Sequence, residues 1–250
     1  MLATIISSEW VILLCLATLL AFTVASTLGI GGPLILLPIL MLKFSPAESI
    51  AMIVPAMFVN NIGRLGIFYS HLQLKPALLM LTTALPFATI MAFFTGIIHP
   101  AILKGLIIFV IAYMLMSRYV FSIQFKIKRG GLIFWGIPTG AISGLSGTAG
   151  PPMAIAMHGY GLVLEQFVAT TALVQAGLQI VRLPVYLSTE LLTTSHWMLA
   201  FIMAASSIPS VFFSRIILKR LKPASFRIAL DVLLGIIGLV LLISVILSSF

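Results

Sequence analysis

Two arginines stand inside apolar stretches of this chain, and each follows amide side chains at helical spacing: Asn60 and Asn61 before Arg64, Gln179 before Arg182. An ionised side chain inside an apolar helix is costly unless it is paired or hydrated. Residues three or four apart share a helix face, so each guanidinium and its amide present several N–H donors in one direction. That is the chemistry that holds an oxyanion. Gln175, one turn before Gln179, extends the second set. A different placement fits the same residues: each arginine lies about six residues from its helix end, and a long side chain can snorkel that far to the interface. The spacing leaves both readings open.

A second kind of donor is suggested by the glycine-proline stretches Leu28-Gly29-Ile30-Gly31-Gly32-Pro33-Leu34 and Ser146-Gly147-Thr148-Ala149-Gly150-Pro151-Pro152. Glycine frees the backbone and proline fits only the first turn of a helix, so each stretch reads as one helix stopping and a short one starting. Polar backbone freed in a bilayer is tolerated only inside protein or beside a water-filled cavity. The half-helix amino termini that open at Gly31, Gly32 and Pro33, and at Gly150 and Pro151, then offer free N–H groups and partial positive charge to an anion near the midplane. Ser26, Thr27, Ser146 and Thr148 add hydroxyls. Close helix packing is the competing use for such glycines.

These groups need a frame, and composition says which kind. Of 250 residues, 61% are apolar and 8% charged, with a mean hydropathy of +1.25, too little polar surface to coat a soluble globule. The chain is expected to be an all-α polytopic membrane protein. Apolar segments run over 10–28, 33–42, 46–70, 75–98 and 100–121, then after a basic joint over 132–145, 152–160, 164–187, 195–218 and 223–247. With only Glu9 at its edge, the first run reads as a retained span and not a cleaved leader. The single Cys15 excludes an internal disulfide.

The two sets of five are copies. Gly29 with Gly147, Gly32 with Gly150, Pro33 with Pro151 and Arg64 with Arg182 are each 118 positions apart. Pro86 with Pro209 and Pro100-Ala101 with Pro223-Ala224 are 123 apart, so a five-residue insertion reconciles the offsets. The chain is therefore read as one membrane domain, with repeat one at 9–122, a linker at 123–131 and repeat two at 132–250. Because Lys and Arg collect in cytoplasmic loops, charge decides how the repeats are related. Parallel repeats divide the loop Lys and Arg seven against five, whereas inverted repeats of five segments leave only Lys43 and Lys104 opposite the other ten. Inverted repeats are expected, in the cytoplasmic (inner) membrane, with both termini outside. A segment of roughly ten helical residues rises only about 15 Å, so the short segments need a partner that starts deep.

The net charge of +9 is read as an insertion signal, not nucleic-acid binding. No His, Cys and carboxylate cluster has metal-ligand spacing and no nucleotide loop occurs, so no metal or cofactor is expected. His158 and Glu165 suit a proton relay or a hydrated helix end, and Glu48 after Ser45-Pro46 suits a helix first turn.

The chain resembles the sulfite exporter TauE/SafE family of membrane permeases. The resemblance is carried by Gly29-Ile30-Gly31-Gly32-Pro33 with Pro38, by the 51–64 helix with Asn60-Asn61, and most closely by Ser143-Gly144-Leu145-Ser146-Gly147-Thr148-Ala149-Gly150-Pro151-Pro152. It spans nearly the whole chain. One departure is that the first element ends Gly-Gly-Pro where a third glycine is expected. The resemblance implies a secondary permease, exporting or taking up sulfur-containing anions such as sulfite, sulfonates or related organic acids. A coupling proton or sodium ion is a further partner to consider. The competing readings are an intramembrane enzyme using His158 or Glu165 as general base, for which no converging nucleophile or metal is visible, and a non-transporting membrane scaffold, which has no need of two opposed helix breaks.

Overall fold

A computed structural model describes residues 8–29, 31–119, 126–162 and 164–220. The expected segment at 223–247 and most of the linker lie outside the described residues. Nine α-helices occur among the described residues: α1 (Ser8–Leu28), α2 (Gly32–Leu40), α3 (Pro46–Phe68), α4 (Leu74–Phe94), α5 (Pro100–Tyr119), α6 (Arg129–Ser146), α7 (Gly150–Gly159), α8 (Leu164–Ser188) and α9 (Thr194–Arg220). Five of these carry stretches long and apolar enough to cross a membrane, in α1, α3, α4, α8 and α9. The outer faces are apolar, with Ile12, Leu16 and Leu20 on α1 and Phe201, Phe212 and Phe213 on α9 exposed, while Asn60, Asn61, Arg64, Gln179 and Arg182 are buried. Apolar outside and polar inside is the arrangement suited to a lipid surround.

Local chemistry sets the helix ends. Ser45 and Glu48 form a capping box, with the Ser45 amide donating to Glu48 at 2.8 Å and Pro46 opening the first turn of α3. Gly29 (φ +81°) and Gly147 (φ +77°) take the left-handed conformation that ends a helix, donating back to Ala25 O at 2.8 Å and Ser143 O at 3.1 Å. The short helices α2 and α7 begin just beyond, each with proline in the first turn. Apart from Ile39, every residue of α2 is buried, so this apolar helix sits within the bundle.

Small residues fix the closest approach. A Cβ at Gly144 would lie 2.6 Å from Met91 Cβ and 2.7 Å from Ala88 O, and Gly140 and Gly136 press equally on the backbone of Ala84 and Met80. Glycines at every fourth position of α6 thus meet Ala84, Ala88 and Ala92 on α4, the small-residue packing that lets helices touch in membranes. The contacts run in order, 136 beside 80 and 144 beside 91, so α4 and α6 share a direction. By the same ordering α9 follows α3 (Asn60 with Ser210, Ala56 with Ser207) and α8 follows α4 (Gln73 with Thr170, Leu81 with Gly177). In contrast, α3 and α8 run in opposite senses, with Arg64 beside Val168 and Met57 beside Gln179.

One end of the bundle, here the upper, holds the starts of α3 and α9 and the end of α8. Trp10, Phe44 and His196 pack edge to face there, and Lys43 lies over the Trp10 ring. The lower end holds the end of α3 and the starts of α4 and α8, with Lys75 and, through the Ile127 amide on Gly159 O at 2.8 Å, the Lys126 to Arg129 joint.

The breaks do not share a depth. Space beyond Gly29 is filled by Phe167 near the lower start of α8, and beyond Gly147 by Ile50 near the upper start of α3. The two breaks therefore lie toward opposite ends of the bundle among the described residues. Helix length is consistent with this: α1 has 21 residues and α6 has 18 before stopping, about 31 and 27 Å.

Candidate functional site

Each break is met by an arginine. Arg64 is 1% exposed, and its Nη2 donates to the Gly29 carbonyl at 3.1 Å, to Val168 O at 3.1 Å and to Thr171 Oγ1 at 3.2 Å. Its Nη1 donates to Asn61 Oδ1 at 3.0 Å. Gln175 Nε2 donates to the same Gly29 carbonyl at 3.1 Å. Carbonyls at a helix carboxyl terminus lack partners within the helix and carry partial negative charge, so a guanidinium satisfies both needs at once.

Arg182, fully buried, repeats the pattern at the other break. Its Nη1 donates to Gln179 Oε1 at 3.0 Å, the same i−3 relation as Arg64 to Asn61, and to Ser143 Oγ at 3.3 Å in the last turn of α6. Tyr186, which the sequence reading missed, accepts from Arg182 Nε and Nη2 at 3.2 and 3.1 Å and donates to Gly144 O at 3.0 Å. Thr95 donates to that carbonyl as well, at 2.8 Å. The available signal was spacing, since Tyr186 lies one turn beyond Arg182.

Both arginines are therefore enclosed by protein and neither snorkels to the interface. Among the described residues neither meets a carboxylate. They are not brought to one ligand: Thr171 at the first site and Arg182 at the second stand eleven residues apart on α8, about 16 Å along its axis. Between them lie Gln175 and Gln179, the latter donating to Met57 Sδ at 3.7 Å. Asn60 turns away to Ser26 and Ser210, both at 2.9 Å.

The remaining expected site residues lie at the breaks. A Cβ on Gly32 would meet Ala25 Cβ at 2.9 Å, so that hydrogen faces α1. Gly31 caps α2 with φ 107°, and Pro33 is buried in its first turn. Gly150 N–H donates to Thr148 Oγ1 at 3.4 Å, Ser146 Oγ donates to Ile142 O at 2.8 Å, and Pro151 is buried.

Beyond the arginines lie the two ends of the bundle. At the lower one, His71 Nε2 lies 3.2 Å from Glu165, and the His158 ring stacks on Phe167 at 4.2 Å between centroids. At the upper one, a cavity of about 430 Å³ is lined by Glu48, His99, Glu190 and Thr193, with Gly96 and Leu191 above the Tyr186 cluster. Neither arginine lines that cavity.

A family model described as the sulfite exporter TauE/SafE matches residues 14–241. The chain belongs to this family. No curated protein and no solved structure matches it. Membership identifies a multi-pass membrane protein of a transporter family, and the geometry above locates the polar interior of this TauE/SafE member on the facing sides of α3 and α8.

Proposed function

We propose that this chain is a secondary transporter that moves small sulfur-containing anions, sulfite or sulfonates, across the cytoplasmic membrane by alternating access along the α3–α8 seam. The observation that carries the reading is the buried guanidinium of Arg64, which meets no carboxylate among the described residues. Buried positive charge without protein counter-charge is expensive in a membrane and favours an anion arriving from outside the fold.

The helix senses support a reading of the two halves as inverted repeats. Arg64 and Arg182 are equivalent by sequence, yet α3 and α8, which carry them, run oppositely, and α4 lies on α6 with no break in direction. Rocking of two such units about a central seam is the motion this architecture suits. Lys75, Lys126, Lys128 and Arg129 gather at the lower end while Lys43 stands at the upper, which favours a cytoplasmic lower end and an external amino terminus.

Flux of sulfite and of a short alkyl sulfonate into proteoliposomes tests the reading, with imposed pH and sodium gradients to reveal a coupling ion. Flux above that of empty liposomes is expected. Failure of both anions to move under every gradient would overturn it.

A further inference from the structure

The two arginines are equivalent by sequence but not by surroundings. At Arg182 all three nitrogens are engaged, with Nε and Nη2 on Tyr186 Oη and Nη1 on Gln179 and Ser143, and the guanidinium lies 5.4 Å from the Tyr186 ring centre. At Arg64, Nη1 and Nη2 are engaged in the same way, but Nε is buried with no hydrogen-bond partner. The repeat explains the difference. The position 118 residues before Tyr186 is Phe68, one turn beyond Arg64, so the first repeat lacks the hydroxyl that Nε meets in the second. A buried N–H left without an acceptor is destabilising, the more so on a charged group.

Resting on the transport reading above, we propose that Arg64 is the arginine that takes the anion, and that Arg182 is a positioning residue. An oxygen of the sulfite or sulfonate accepts from Arg64 Nε, in the place that the Tyr186 hydroxyl fills at Arg182. Asn61 and Thr171 hold the guanidinium for it from either side. Arg182, closed by Tyr186, ties α8 to the last turn of α6 and has each of its three nitrogens already engaged.

The test is sodium sulfite binding by calorimetry, with thermal unfolding, on the purified full chain and its variants. Phe68→Tyr supplies the missing hydroxyl, so it is expected to unfold no lower than wild type and to bind sulfite at least about tenfold more weakly, a charge-assisted bond being worth that much. Tyr186→Phe and Arg182→Lys are expected to unfold at lower temperature, with sulfite affinity in the folded fraction within about twofold of wild type. Unchanged affinity in a folded Phe68→Tyr, or loss of affinity in a folded Arg182→Lys, overturns the division of roles while leaving anion transport standing. A wild type that binds neither sulfite nor methanesulfonate overturns the transport reading, and this proposal with it.

Discussion

Arg64 of α3 donates from Nη2 to the carbonyl of Gly29 at 3.1 Å, so a side chain from one helix closes the carboxyl-terminal end of another. The contact joins the helix break to the buried charge. Removing the arginine is expected to damage both. Arg64→Ala should abolish sulfite flux and lower stability by about 1–3 kcal/mol, since Gly29 O keeps Gln175 as a donor. Arg64→Lys should recover stability more fully than flux, because an ammonium lacks the planar fork. Flux in proteoliposomes and unfolding in detergent separate the two effects.

The α4–α6 contact predicts a purely mechanical defect. A methyl at Gly140 would press into the backbone of Ala84, and overpacking of this kind costs about 1–3 kcal/mol. Gly140→Ala should therefore unfold earlier than wild type, while Gly105→Ala, with open space around it, should not. Equal melting of the two would mean that α4 and α6 stand farther apart.

Gly32 gives a related expectation with a different stake. Its Cβ position is filled by Ala25, so Gly32→Ala should lose stability first and keep sulfite affinity in the folded fraction. Affinity lost at unchanged stability would instead place the α2 amino terminus against the anion.

Glu165 pairs with His71 at the lower end of the bundle, where both side chains are about half exposed. Exposed pairs contribute at most about 1 kcal/mol. Glu165→Gln is expected to leave melting and sulfite flux within about twofold of wild type. Loss of flux alone, with its dependence on a pH gradient abolished, would give Glu165 a proton-carrying role.

Orientation is open to labelling. In a Cys15→Ser background, Lys43→Cys should react with an impermeant maleimide added outside intact cells, and Lys128→Cys should not. The reverse pattern would invert the assigned topology.

Much of this was legible in the sequence because it depends on near neighbours. The i−3 pairing of Arg64 with Asn61 and of Arg182 with Gln179 follows from helical spacing alone, and so do the glycine helix ends and the capping box at Ser45. What was not legible depends on how helices pack. Nothing near Asn60 announces Ser210, 150 residues away, and the depth of each break depends on where α1 and α6 end relative to the opposite repeat. The spacing of the glycines at 136, 140 and 144 took on meaning only once α4 was seen against them.

The shared direction and close contact of α4 and α6 mean that the two halves of the gene do not correspond to two halves of the molecule. Met80 to Ala92 of α4 lie along the glycines of α6, and α9 lies along α3. Each half of the chain thus packs a helix into the other. A polypeptide severed at the joint near residue 126 would yield fragments that each leave a long apolar groove unfilled. Such fragments are expected to fold when made together and to be degraded when made apart.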